Sequence, residues 1–113
     1  MKIIDVPITV MELASMAEAG FGDLVKAVVD VQRGIMAVDG ELHSDEEAIL
    51  LENGSQQDHL WGINLYPALA PADFIEFDSM INIRPSQGNR SRGVDDPDLR
   101  ERIVGVVDSL VLP

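Results

Sequence analysis

"LVKAVVDVQRGIMAVDG", residues 24–40, decides how the rest of the chain is read. Val25, Ala27, Val29 and Val31 alternate with Leu24, Lys26, Val28 and Asp30, and β-branched residues at this density suit a pleated strand. "QRG" supplies a turn, Ile35–Val38 reads as the returning strand, and Gly40 ends it. A lone hairpin is marginal in water, so its apolar row calls for further strands and a covering layer.

Two downstream stretches supply those strands. In "HLWGINLYP", Trp61, Ile63 and Leu65 share one side, with Gly62, Asn64 and Tyr66 on the other. Gly62 inside a strand marks a bulge or a close backbone approach. In "DFIEFDSMINIRP", Ile75, Phe77, Ser79, Ile81 and Ile83 alternate with Phe74, Glu76, Asp78, Met80, Asn82 and Arg84. That alternation predicts a long strand, placed centrally, with the first row buried. The connection through Pro67 and Pro71 is short enough for antiparallel neighbours.

Helices are marked by their ends. After an extended run at residues 3–6, Thr9 and Glu12 have capping-box spacing, and Ile8 and Leu13 are placed as a hydrophobic staple. Val10, Leu13, Ala14 and Ala17 form the stripe, and Gly20 offers a left-handed stop. Ser44 and Glu47 repeat the box, which favours a helix ending near residues 53–54, with a short strand as the alternative. Asp96, Pro97 and Asp98 open the last helix, whose apolar face is Leu99, Ile103, Val106, Val107 and Leu110. Asp98 and Arg102 are spaced to pair. The expected fold is α+β: one domain over residues 1–113, with a mainly antiparallel four-stranded sheet packed against two or three helices. A sheet covered on one face leaves the other row exposed, here a polar floor that includes Lys26, Asp30, Asn64, Glu76, Asp78, Asn82 and Arg84.

Composition narrows the function. The chain has 113 residues, no Cys and a net charge of -12, which excludes disulfides, thiolate sites and cysteine nucleophiles. The charge disfavours nucleic acid and anionic membrane as partners, and five Phe, Tyr and Trp rings are thin material for base stacking. No apolar run is long enough to cross a bilayer, and no cleavable leader is evident in "MKIIDVPITV", so a cytoplasmic protein is expected.

Against that acidity, "NIRPSQGNRSRG" gathers Arg84, Arg90 and Arg92 in a stretch without a carboxylate. With Asn89, these guanidiniums suit capture of a small anion or an acidic protein partner. The simpler reading is that they neutralise Glu76, Asp78, Asp95, Asp96 and Asp98 nearby. No Walker-type glycine–lysine pattern accompanies them. A second candidate is a divalent-cation site on Glu41, His43 and Asp45, which would project to one side of an extended "GELHSDEE". Glu76 and Asp78 on one strand face could form a hydrolytic acid/base pair, although no nucleophile elbow or H-E-x-x-H helix is present.

"GELHSDEEAILLENGS", "LWGINLYP" and "FIEFDSMINIRPSQGNRSRGVDDP" together resemble a family of small prokaryotic single-domain proteins of unknown function. The resemblance implies a prokaryotic source and no particular activity, resident cofactor or catalytic residue. The leading expectation is a soluble, non-enzymatic binding or regulatory module built on the arginine loop. The alternatives are the acidic/histidine metal site and a structural homo-oligomer joined through Val104 and Val111 of the last helix.

Overall fold

A computed structural model describes Met1–Pro113. In chain order the elements are β1 (Lys2–Ile4), β2 (Ile8–Thr9), α1 (Val10–Ala19), β3 (Val25–Asp30), β4 (Ile35–Val38), α2 (His43–Glu52), β5 (Leu60–Leu65), β6 (Ile75–Glu76), α3 (Pro97–Leu110) and β7 (Val111–Leu112). None of the helices is long and apolar enough to cross a membrane.

The hairpin forms as expected. Asp30 Oδ1 accepts from the backbone N–H groups of Gln32 and Arg33 at 2.9 and 3.0 Å, and Gly34 takes φ +68° to close the turn. The Asp30 carboxylate also accepts from Ser55 Oγ at 2.7 Å, while Arg33 donates to Asn53 O and Ser55 Oγ. Those bonds tie the hairpin to the end of α2.

The main sheet is α+β in context and antiparallel throughout, in the order β1-β4-β3-β5-β6. It has five strands where four were expected, because residues 2–4 pair along β4 in the register Ile3↔Ala37. A small parallel pair, β2 with β7, joins the start of α1 to the end of α3.

Alternation along β3 and β5 sends two rows to two cores. Val25, Ala27, Val29, Trp61, Ile63 and Leu65 pack with Leu13, Ala17, Ile103, Val106, Val107 and Leu110 of α1 and α3. Val28, Ala37 and Leu60 pack on the other face with Leu50 of α2. The sheet is therefore covered on both faces, and the expected exposed floor is split: Asp30, Asn64 and Asn82 are buried, Lys26, Asp78 and Arg84 are half-buried, and Glu76 is exposed.

The long strand does not form. Pairing stops at Glu76, and β6 lies at the sheet edge rather than its centre. Beyond it the chain bends into a short 3-10 turn, Met80–Asn82, capped by Ser79 Oγ on Ile81 N–H at 3.3 Å. Gly62 admits this turn: a Cβ there would stand 2.5 Å from Ser79 Cβ. Alternation predicts which way side chains point only while the backbone stays extended, and here Ile83 ends up exposed.

Two helix ends also differ in detail. Thr9 caps α1 by accepting from Glu12 N–H at 3.1 Å, but Gly20 has φ −114° and the left-handed step falls on Gly22, at φ +101°. α2 starts from Leu42 with no side-chain cap, so the Ser44–Glu47 box is not made. α3 opens as read, with Asp96 Oδ1 accepting from Asp98 N–H at 2.9 Å. Asp98 and Arg102 form no ion pair, the chain's ion pair being that of Arg92 with Asp78.

Candidate functional site

The arginine loop is held from within. Arg84 lies with its guanidinium 4.2 Å from the Trp61 ring centroid. It donates to the backbone carbonyls of Ile81, Gln57 and Leu60 and to Gln87 Oε1. Burial lowers its pKa from the ordinary arginine value. Asn89 is buried: its Nδ2 donates to Asn82 O at 2.7 Å and to Ser91 O and Gly93 O, and its Oδ1 accepts from Asp95 N–H at 2.8 Å. Arg84 and Asn89 also pair through their backbones at 2.8 and 3.2 Å. These two residues clamp the loop, and four of the five Arg84 guanidinium N–H groups are spent inside the chain.

Arg90 and Arg92 are exposed. Arg92 Nε pairs with Asp78 Oδ1 at 2.6 Å, which joins the loop to the strand-side acids as the neutralising reading expects. Arg90 contributes its backbone N–H to Asp95 at 3.1 Å. Together with the Ser91 hydroxyl, it holds the Asp95 carboxyl below its usual pKa. The Arg90 guanidinium itself makes no bond within the chain.

The polar row becomes a connected network at the sheet edge. Asn64 lies opposite Glu76 in register, and its Nδ2 donates to Glu76 Oε1 at 2.8 Å and to Asp78 O at 3.4 Å. Tyr66 donates to the same Glu76 oxygen at 3.1 Å. Asn82 is not part of that row. Its side chain reaches β5, with Oδ1 accepting from Gly62 N–H at 2.8 Å and Nδ2 donating to Gly62 O at 2.9 Å and Arg92 O at 3.0 Å.

The metal trio is dispersed because α2 begins at His43, and helical geometry separates what extended geometry would align. His43 is buried against the sheet with Nε2 2.7 Å from Ile63 O; a carbonyl can only accept, so Nε2 carries the proton. Burial lowers the His43 pKa, with the Ile63 carbonyl acting the other way. Glu41 and Asp45 instead line an open hollow beside Asp39. Nowhere do three or more His, Asp or Glu side chains gather to hold a metal ion.

A mostly apolar concave surface lies elsewhere. A groove of about 500 Å³ runs between α3 and the β5–β6 connection. α3 contributes Val104, Val107 and Asp108, which its periodicity places on one stripe, and Val111, the first residue of β7, continues the same wall. Pro67 and Pro71 carry Leu69 over the opposite side, where Phe74 and Phe77 form the wall. Both phenylalanines are half-buried, packing on the core while lining the groove, and Leu69 is 48% exposed. Of the two valines assigned to an outer apolar strip of the last helix, Val104 lies on α3, whereas Val111 falls beyond its end, in β7. The opposing wall was not legible, because its signal, one leucine between two prolines, does not say which helix the connection folds against.

Neither curated proteins nor solved structures give a match to this chain. One family model, described as "Protein of unknown function (DUF5674)", matches residues 2–110. That span contains the stretches on which the resemblance to a small single-domain family rested, so the chain belongs to the DUF5674 family of proteins of unknown function.

Proposed function

We propose that this chain is a soluble, non-enzymatic binding module whose groove beside α3 receives apolar side chains of a partner protein. The observation that carries the proposal is the groove itself: about 500 Å³, walled by Phe74 and Phe77 on one side and by the valines of α3 on the other. Its size falls in the range of about 300–1,000 Å³ common to binding pockets, and apolar lining with few polar groups is the usual composition. The same chain otherwise carries -12 of charge, so an open apolar surface marks a contact region. The resemblance to a prokaryotic family supports placing the module in a prokaryotic cytoplasm.

Titration with a leucine-bearing amphipathic peptide, followed by methyl NMR, should shift Leu69, Val104, Val107 and Val111 saturably. Val104→Ser and Leu69→Ser should each weaken binding about tenfold, as expected from losing roughly 1–2 kcal/mol of apolar burial. Saturable binding that leaves these methyl signals unmoved would overturn the assignment.

A second, narrower reading keeps an anion at the arginine loop, and the unpaired Arg90 guanidinium beside Arg92 favours it. Here Arg84 and Asn89 hold the loop while Arg90 and Arg92 meet the ligand. Titration with inorganic phosphate should then shift the backbone signals of residues 90–93, and the Arg90→Ala/Arg92→Ala double variant should abolish the shift without changing the melting temperature. Phosphate shifts that persist in that variant would refute it.

A further inference from the structure

We infer that the partner segment is basic as well as amphipathic, with its apolar anchors flanked by lysine or arginine; this rests on the groove being the binding site. Asp108 is the one charged residue in the groove lining, and none of the chain's eight lysines and arginines contributes to it. Asp108 stands four residues after Val104 and next to Val107, so carboxylate and valines present together on one stripe of α3, and Val111 of β7 lines the same groove. Asp73, exposed between the lining residues Ala72 and Phe74, is a nearby acid but not itself part of the lining.

Charge complementarity then separates the candidate occupants. A second copy of this chain would set one Asp108 stripe against another and bring two bodies of -12 together. A segment with cationic flanks relieves the same repulsion and is drawn in by the field of the whole molecule. Its cations would sit at the exposed rim, where a carboxylate is available, while its apolar anchors enter the groove. Desolvation of buried charge is thereby avoided.

Three synthetic peptides test this: an amphipathic helix of leucine, alanine and lysine, its counterpart with glutamate replacing lysine, and its counterpart with serine replacing leucine. The lysine peptide should bind saturably and shift the Val104, Val107 and Val111 methyl signals. The glutamate peptide should bind at least about tenfold more weakly, since it places like charges at the rim. The serine peptide should leave the groove signals unmoved. Asp108→Asn should weaken the lysine peptide about two- to fivefold, the range of an exposed ion pair. Glu52→Gln removes the same charge at the end of α2, on the other side of the sheet, and should change affinity far less. Equal binding of lysine and glutamate peptides, or equal effects of the two substitutions, would overturn the inference and leave the groove reading standing. If neither leucine-bearing peptide moves the groove signals, both fall.

Discussion

Asn82→Ala is expected to lower stability by about 3 kcal/mol and the melting temperature by roughly 10–20 °C. At Gly62, where β6 has turned away, the Asn82 side chain does what a neighbouring strand would do. It accepts from the Gly62 N–H at 2.8 Å and donates to the Gly62 carbonyl at 2.9 Å. Its second amide proton holds Arg92 O at 3.0 Å, and its own carbonyl receives Asn89 Nδ2 at 2.7 Å. Asn82 and Gly62 are both buried, so truncation strands a backbone donor and acceptor where water has little access. Each such orphan costs about 1–3 kcal/mol.

Asn82→Asp sharpens the test. An ionised carboxylate can accept from Gly62 N–H, but it has no proton for Gly62 O or Arg92 O and would face both oxygens. Only the protonated acid can donate, so its folded pKa is raised above the unfolded value of about 3.9. Between those values the native state retains a proton that the unfolded chain has lost, and stability falls as pH rises. The aspartate variant should therefore be less stable than the alanine variant at pH 7 and recover part of the deficit on acidification. Urea denaturation followed by circular dichroism at the two pH values measures both effects. A loss below about 0.5 kcal/mol for Asn82→Ala, the range of an ordinary surface substitution, would show that the strand-like role is wrong.

Asn82 also shows where the sequence stopped being legible. The hairpin, β5, the Thr9 and Asp96 caps and the face of α3 follow from local periodicity and capping chemistry, and they form as read; on α1 Leu13 and Ala17 are buried as read, but Ala14 is exposed and Met16 packs on the core instead. Residues 77–83 obey a strand's alternation just as well, yet the backbone leaves the sheet after Glu76. The deciding contacts are long-range, because Gly62 makes room for Ser79 and Asn82 substitutes its side chain for strand pairing. Covering of the second sheet face depends in the same way on where α2 lands. With α2 lying over Val28, Ala37 and Leu60, that face is covered, and Asp30, Asn64 and Asn82, assigned to an exposed floor, are interior while Glu76 stays exposed. The arginine cluster was visible in one dimension. The distinction between Arg84, stacked on Trp61, and Arg90, free at the surface, exists only in three.

Glu46→Gln is expected to stabilise the protein at pH 8 and to flatten its dependence on pH. Glu46 is fully buried; its Oε2 accepts from Gly40 N–H at 2.9 Å, while Oε1 has no partner. Gly40 is fitted to this side chain, since a Cβ there would stand 2.7 Å from Glu46 Cγ. Burial raises the carboxyl pKa from 4.5 to about 9; the Gly40 N–H and Lys26 act in the opposite sense, and Asp39 adds to the rise. The group is therefore protonated in the native state at neutral pH. Between 4.5 and about 9 the folded chain holds a proton that the unfolded chain has released, so this group's contribution declines as pH rises. The limiting slope is about 1.4 kcal/mol per pH unit. Applied across the whole interval, it would rival the total stability of a small domain, so opening of the Gly40 turn to water should limit the loss to a few kcal/mol. Glutamine keeps the shape and an oxygen for Gly40 N–H without an ionisable proton. Denaturant midpoints for the two proteins should converge below about pH 4.5 and separate progressively above it, with the variant higher by roughly 2 kcal/mol at pH 8. Parallel curves across this interval would mean that the Glu46 carboxyl is already ionised at neutral pH in the folded protein, with water or a cation reaching Oε1.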